Sequence, residues 1–413
     1  MAGIRSLSDR LLASARFQRR VARIPLLRRI GRHHAGALFD LCAGFVYSQV
    51  LYASVRSGLL QALRDGPLPL ASIGARCALP HERTVLLIQA TDALGLTEQR
   101  RGQARGLGLL GAALLGNPAV LMMIEHQPLF YADLNDPLAL LQGTAPPGRL
   151  ARYWAYTRRS APVPGAAPAG GSAPAGGSAP TGGSAAAVSA GEAVRGYTEL
   201  MAATQPLVNE DLLAAYPFGR HRVLLDVGGG NGTFLRAAAQ RLPRLRFMLF
   251  DLPALAQLAA VQLDAAGLGA RAAVFGGDFS SVALPAGADV VTLIRVVHDH
   301  DDGAVRALLA AVRRALPAGG RVVIAEPMRA VPGSLPAAEI YLGFYLLAMG
   351  QGRVRSVPEL ERLLREAGFS GPRVHATPRP WQCAVLSASA AEAPRPGRRS
   401  RPSRLQKPSV KST

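Results

Sequence analysis

Leu225-Asp-Val-Gly-Gly-Gly-Asn-Gly-Thr233 joins a short β-rich run, Arg222 to Val227, to a segment whose pattern predicts a helix from Thr233 to Arg241. Glycines let the backbone turn tightly and approach a ligand closely. The helix start beyond them presents unsatisfied N–H groups and the positive end of the helix dipole. A loop of this kind holds an anion, either a phosphate or a carboxylate. A purely structural glycine turn is the alternative, and the strand-loop-helix context weighs against it. The dinucleotide fingerprint G-x-G-x-x-G requires a third glycine. Counted from Gly228 that position is Thr233, and from Gly230 it is Leu235, which disfavours a nicotinamide or flavin ligand.

Outward from this loop, strand and helix alternate. Strands are expected at Arg246 to Phe250, Arg271 to Gly276, Ala288 to Ile294 and Arg321 to Ala325, with helices at Pro253 to Ala266 and Asp302 to Leu316. Such alternation implies an α/β fold with a parallel sheet covered by helices. Ser356-Val-Pro-Glu359 is a capping box that starts a helix ended by Gly368. Two last strands are placed near 372–377 and 381–387.

In an open α/β sheet, ligands bind at the carboxyl ends of the strands, and chemistry-bearing side chains gather there. Asp251 ends the second strand, where an acid accepts from both hydroxyls of a ribose; a simple cap before Pro253 is the alternative. Asp278 follows the third strand and can accept from an adenine amino group, with Phe279 packing on the ring. A turn aspartate is the competing reading. The fourth strand runs into Arg295-Val-Val-His-Asp-His-Asp-Asp302. A metal site is conceivable for such a cluster, but Asp301 or Asp302 also sits where the next helix needs an N-cap, and no further ligand set stands nearby. His298 as a neutral imidazole can take a proton from an attacking hydroxyl. Glu326, ending the fifth strand at the same edge, is placed to orient it.

The 413 residues are too many for one ordinary core, so two domains are expected. The net charge of +20 is almost wholly arginine, because Lys407 and Lys411 are the only lysines. It permits nucleic-acid or anionic-membrane contact and says nothing about fold; a compositional habit of the genome explains it equally well. Cys42, Cys77 and Cys383 are scattered, without zinc or disulfide spacing, which fits a cytoplasmic protein. No signal-peptide pattern is present at the N-terminus. The longest apolar stretch, Leu107 to Ile124, is interrupted by Gly108, Gly111, Gly116, Asn117 and Pro118, and reads as two short buried segments with a turn. Residues 1–34 form a basic arm, and 35–160 are helical. Helices near 70–77 and 81–94 followed by a Gly- and Arg-rich hairpin give the outline of a winged helix. Residues 161–190 are an Ala/Pro/Gly/Ser flexible linker. The catalytic domain spans 191–390, and 391–413 form a basic tail expected to be disordered.

Asp226-Val-Gly-Gly-Gly-Asn-Gly232, Asp251-Leu-Pro253, Gly277-Asp-Phe279, Arg295-Val-Val-His-Asp299 and Ile324-Ala-Glu326, in this order and spacing, resemble the O-methyltransferase family of plant caffeate-type and bacterial natural-product enzymes. The resemblance covers roughly residues 35–390. It implies a Rossmann-like sheet with an N-terminal winged-helix-like dimerisation domain, hence a homodimer, and S-adenosyl-L-methionine as cofactor. It further implies in-line methyl transfer to a hydroxyl, with His298 as base and Glu326 and Asp299 orienting it. Gly228, Gly230, Asp251, Asp278, Phe279 and Arg295 are implied to hold the cofactor. No metal is needed, because the sulfonium is already a good leaving group. Further stretches, Met201-Ala-Ala-Thr-Gln-Pro-Leu-Val208, Tyr216-Pro-Phe-Gly-Arg-His-Arg222, His298-Asp-His-Asp-Asp302 and Tyr345-Leu-Leu-Ala-Met-Gly350, resemble the bacterial branch that methylates acyclic hydroxycarotenoids. That implies a hydrophobic small-molecule acceptor, a greasy pocket along Tyr341, Phe344, Tyr345 and Met349 (or a core or dimer helix there), and peripheral contact with the inner membrane. Two departures stand out. Plant members have a lysine where this chain has Ile294, with Arg295 serving instead, and a second Glu near Val354 that is missing here.

Two other readings follow from the same features. A winged helix, a strong positive charge and a ligand-sensing domain describe a transcription regulator, whose binding would depend on salt, but such a sensor has no need of His298 with Glu326. An O-methyltransferase acting on a phenolic or polyketide product shares the whole constellation.

Overall fold

The computed structural model of the chain describes residues 9–21, 23–153 and 204–391. The expected linker at 161–190 and the tail beyond 391 lie outside the described residues. Two compact units meet in sequence at Pro128 and Leu129.

The N-terminal unit is helical. Helices Leu70–Cys77 and His81–Ala93 precede an antiparallel hairpin of β1 (Thr97–Gln99) and β2 (Arg105–Leu107), the helix-helix-wing order expected. Leu59, Leu63, Ile73, Cys77 and Ile88 form one small core. The apolar stretch resolves into helices Leu109–Leu115 and Pro118–Asp133, bent by 94° at the Gly116–Asn117 break. The chain from Leu51 to Leu63 does not form one continuous helix. Helix Pro25–Arg56 ends before Gly58, which has φ 73° and starts a separate short turn, Leu59–Ala62. A left-handed φ cannot be accommodated within an α-helix, and this glycine adopts it freely.

Helix Pro25–Arg56 is a further long apolar element, besides the Leu107 to Ile124 stretch. Its stretch Leu27–Arg56 is long and apolar enough to cross a membrane, with a mean hydropathy of 1.3 over its most apolar window, yet few of its residues are buried. Glycine, alanine, serine and histidine interleave with its larger apolar residues, so no continuous apolar run marks it in the sequence.

The C-terminal unit is built on a seven-stranded sheet. Its strands are β3 (Val223–Val227), β4 (Arg246–Asp251), β5 (Ala272–Gly276), β6 (Val290–Ile294), β7 (Arg321–Glu326), β8 (Phe369–His375) and β9 (Ala384–Ala390), in the order β5-β4-β3-β6-β7-β9-β8. The first five are parallel, while β9 runs antiparallel to both β7 and β8. Strand order reverses between β3 and β6, and this is where open α/β sheets form a ligand crevice. β3, β6 and β7 are apolar almost throughout because helices cover both faces. One core joins helix Asp302–Ala315 to the sheet through Val305, Leu308 and Val312, and another joins Thr233–Arg241 and Pro253–Ala265 to the opposite face through Phe234, Leu235 and Leu263. The last two strands lie at Phe369–His375 and Ala384–Ala390, not at 372–377 and 381–387. Strand pairing extends β8 back to Phe369, which is buried against the helix-side core, and β9 forward to Ala390.

Candidate active site

The loops at the carboxyl edge of β3 and β6 each begin with a residue in the left-handed region. After β3, Gly228 has φ 73°, its N–H donates to the Phe250 carbonyl at 2.8 Å, and an added Cβ would stand 2.7 Å from a Val296 methyl. Gly230 has φ 56° and nothing within 4 Å of where a Cβ would lie. Gly232 is the N-cap of helix Thr233–Arg241 and supplies no capping side chain. The result is a left-handed, glycine-lined cradle at an uncapped helix start, the arrangement that receives an anionic group.

Asp251, at the end of β4, is buried and binds this cradle. Its Oδ2 accepts the Gly230 N–H at 2.7 Å, and its Oδ1 accepts the Leu252 N–H at 2.7 Å. Asp226, at the end of β3, is a buried acid that was not singled out in the sequence. It accepts from the Thr292 hydroxyl at 2.7 Å, and burial raises its pKa to about 7, with the neighbouring Asp251 adding to the effect. Its signals in the chain are an acidic residue inside an otherwise apolar strand and its place at the head of the glycine motif. Asp278 follows β5 and shapes its own turn, accepting from the Ser280 N–H at 2.8 Å and hydroxyl at 2.7 Å. Phe279 packs edge-on against His300, with ring centroids 5.2 Å apart.

Beyond β6 the chain turns abruptly. Arg295 has φ 56°, a left-handed conformation that is costly for a side-chain-bearing residue. Its N–H donates to the Ala325 carbonyl at 2.9 Å and its guanidinium to the Thr204 hydroxyl at 2.7 Å. A single 3-10 turn, Val297–Asp299, follows, and all three of its residues are buried. In that turn Glu326 Oε2 accepts the His298 backbone N–H at 3.0 Å and lies 3.2 Å from His298 Nδ1, while Nε2 lies 3.2 Å from Asp299 Oδ1. Burial favours the neutral imidazole, but the charges of Asp299 and Glu326 outweigh it, so the pKa stands above the ordinary histidine value. Burial also raises the Asp299 pKa, against the pull of His298 and Arg295. Glu326 is fully buried, and its Oε1 has no hydrogen-bond partner among the described residues.

The sequence-predicted residues thus come together in two groups: Gly228, Gly230 and Asp251 in the cradle, and His298, Asp299 and Glu326 at the turn. Asp301 caps the following helix through the Ala304 N–H, at 2.8 Å. Among the described residues, no group of three or more His, Cys, Asp or Glu could hold a metal ion. The Ser356–Glu359 capping box is present, with Glu359 accepting the Ser356 N–H at 2.7 Å. The segment just before it, Gly352 to Arg355, packs against the His298 turn, and the sequence reading attached no role to its arginines.

Helix Pro336–Met349 packs Leu346, Ala348 and Met349 into a buried cluster with Phe130, Leu150 and Val354. Tyr341 and Tyr345 stack 6.2 Å apart, and Phe130 meets both edge-on. The position where a second glutamate was missed, Val354, is therefore apolar and buried.

An O-methyltransferase domain model matches residues 183–370. Demethylspheroidene O-methyltransferase of Cereibacter sphaeroides is 41% identical over 386 residues, covering 94% of this chain and 95% of that protein. Its counterpart from Rhodobacter capsulatus is 37% identical, over 92% and 88% of the two chains. Among solved structures, the apo S-adenosylmethionine-dependent methyltransferase SibL superposes with a TM-score of 0.69 at 23% identity, over 86% of this chain and 99% of that one. Human N-acetylserotonin methyltransferase in complex with SAM gives 0.65 at 21%, over 87% and 98%.

Proposed function

This chain belongs to the S-adenosylmethionine-dependent O-methyltransferase family, and we propose that it methylates a hydroxyl of an acyclic hydroxycarotenoid with His298 as general base. The observation that carries the assignment of the base is the placement of the buried imidazole between two carboxylates, Glu326 and Asp299, at the carboxyl edge of the sheet. The hydroxycarotenoid acceptor is supported by the names of the two bacterial relatives and by the aromatic and aliphatic cluster on helix Pro336–Met349.

The cradle fits S-adenosylmethionine: Gly230 leaves open space where a Cβ would intrude, and the uncapped helix start suits the methionine carboxylate. Gly228, Gly230, Asp251, Asp278, Phe279 and Arg295 are assigned to hold it. When bound, it supplies a methyl group on a positively charged sulfur. An aliphatic alcohol is a far weaker acid than a phenol, so its proton must leave as the oxygen attacks. His298 takes that proton, and Glu326 holds the ring orientation and stabilises the imidazolium that forms. Asp299, 3.2 Å from Nε2, pairs with the ring in its charged form; in the neutral base that nitrogen carries the lone pair that takes the acceptor's proton.

A homodimer accounts for the exposed apolar run on helix Pro25–Arg56, where Leu38, Phe39, Leu41 and Phe45 are all at least 64% exposed. Arg16, Arg19 and Arg20 on helix Ala15–Val21 suit an anionic bilayer, the phase in which such a carotenoid resides. Salt-sensitive co-sedimentation with anionic vesicles tests that contact. The decisive experiment for the reaction incubates the purified protein with methyl-labelled S-adenosylmethionine and a detergent-solubilised hydroxycarotenoid. The labelled methyl ether is expected from the wild type. His298→Gln is expected to bind S-adenosylmethionine normally and turn over about 10²-fold more slowly or less. Label transfer to phenols alone would overturn the substrate assignment.

A further inference from the structure

We propose that Arg355 is a positioning residue for methyl transfer: its buried guanidinium grips the carbonyls on either side of His298 and sets the backbone from which the base projects. The inference rests on the assignment of His298 as base.

Arg355 is fully buried, and no other side chain as deeply buried among the described residues is larger. Its Nη1 donates to the Val297 carbonyl at 2.8 Å, and its Nη2 to the His300 carbonyl at 2.8 Å. Nε and Nη2 hold Asp302 Oδ1 at 3.0 and 2.7 Å. Between the Val297 and His300 carbonyls, that of His298 accepts the Arg353 N–H at 2.8 Å. Arg353 then reaches Asp302 and Glu359 with its own guanidinium, at 3.0 and 2.7 Å. The segment lies so close that a Cβ on Gly352, which has φ 80°, would collide with the His298 carbonyl.

A 3-10 turn of three residues has little stiffness of its own, and this one directly follows the strained Arg295. What holds it is therefore the pair of segments that flank it. Glu326 grips the N–H side of His298, and Arg353 and Arg355 grip the carbonyl side. Burying a guanidinium costs several kcal/mol before its partners compensate, and a hydrophobic residue of similar volume often gives equal stability. A cation in this place is thus a poor device for stability and a good one for geometry, because its planar fork reaches two carbonyls and a carboxylate at fixed angles. Extended chain alternates its side chains: Arg353 and Arg355 face the turn, and Val354 faces the apolar cluster of Phe130, Leu346 and Met349. Arg355 does not touch the imidazole, so its effect on the reaction passes through the backbone of the turn.

The test compares the full-length wild type with Arg355→Lys, Asp302→Asn and His298→Gln. The readouts are kcat, KM for a detergent-solubilised acyclic carotenoid alcohol, S-adenosylhomocysteine affinity, Tm and the pH dependence of kcat. Lysine keeps the charge and cannot reach all three acceptors, and Asp302→Asn loosens the far side of the fork. Both variants are expected to lower kcat by about tenfold or more, within the range that a small misplacement of a catalytic group produces. KM and product affinity should change little, while Tm should fall in both variants, because each leaves a buried group of the network without its partner. A loosened turn weakens the contacts of the His298 ring with Glu326 and Asp299, whose charges hold its pKa up. The midpoint of the acid-side limb, along which kcat rises with pH, should therefore fall toward the ordinary histidine value of 6.5. If Arg355→Lys and Asp302→Asn keep wild-type kcat and pH midpoint while His298→Gln is inactive, Arg355 has no positioning role. If Arg355→Lys loses product affinity in step with kcat while Asp302→Asn behaves as wild type, Arg355 is merely structural and the proposal fails. An active His298→Gln overturns the base assignment and the proposal with it.

Discussion

Glu326 Oε2 serves His298 twice, accepting its backbone N–H at 3.0 Å and facing its Nδ1 at 3.2 Å. One carboxylate oxygen thus couples the position of the turn to the charge of the ring. The base must be neutral to accept a proton, and its pKa is raised by Asp299 and Glu326 against burial. Turnover should therefore rise with pH along a limb whose midpoint lies above 6.5, and be lost as pH falls through it. Glu326→Gln removes one of the two raising charges, so the midpoint should drop while kcat falls by about 10- to 100-fold. A pH–rate profile on both proteins checks this, and an unmoved midpoint would separate Glu326 from the titrating group.

Asp251 ties the glycine cradle to β4 through the Gly230 N–H. Asp251→Ala leaves that donor without its partner and removes the proposed ribose acceptor. S-adenosylmethionine affinity should weaken by about 1–3 kcal/mol, the usual range for an unpaired buried polar group. Isothermal calorimetry measures it directly, and unchanged affinity removes Asp251 from the site.

Gly228 has φ 73°, and its Cβ would meet Val296 at 2.7 Å. Gly228→Ala must bear a left-handed cost of about 1–2 kcal/mol as well as displace the Val296 methyl, which sits two residues before the base. We expect a lowered Tm and a loss of activity that exceeds the loss of stability. Gly267→Ala is the control, since it shares a positive φ with open space around it; it should lower Tm alone.

Leu41 is 80% exposed and Phe45 72%, on the same long helix. If a second copy covers this face, Leu41→Glu combined with Phe45→Glu should convert a dimer to a monomer. Light scattering after size exclusion reads the mass, and a wild-type protein that elutes as a monomer would end the proposal.

The motif order from Asp226 to Glu326 was readable because chemistry at a sheet edge recurs at the ends of strands, and each strand is marked by its own apolar run. The glycine loop, Asp251 and His298 lie at the predicted places for that reason. Local signals also sufficed for the Ser356 capping box and for the helix-helix-hairpin order near Leu70–Leu107. Where local signals compete with pairing, the reading slipped: β8 and β9 are positioned by pairing with each other and by the burial of Phe369 in the core, not by local strand propensity.

The sequence alone therefore determined the alternating α/β architecture, the glycine loop and the presence of a histidine and two acids at one edge, because these depend on neighbours in the chain. Only the tertiary structure decided which groups meet. Glu326 is 28 residues from His298 and Arg355 is 58 residues from Val297, and both grip the same turn. Hydrogen bonds between groups so far apart in the chain are set by the packing of β6 on β7 and of residues 352–355 on the turn. No local propensity encodes that packing.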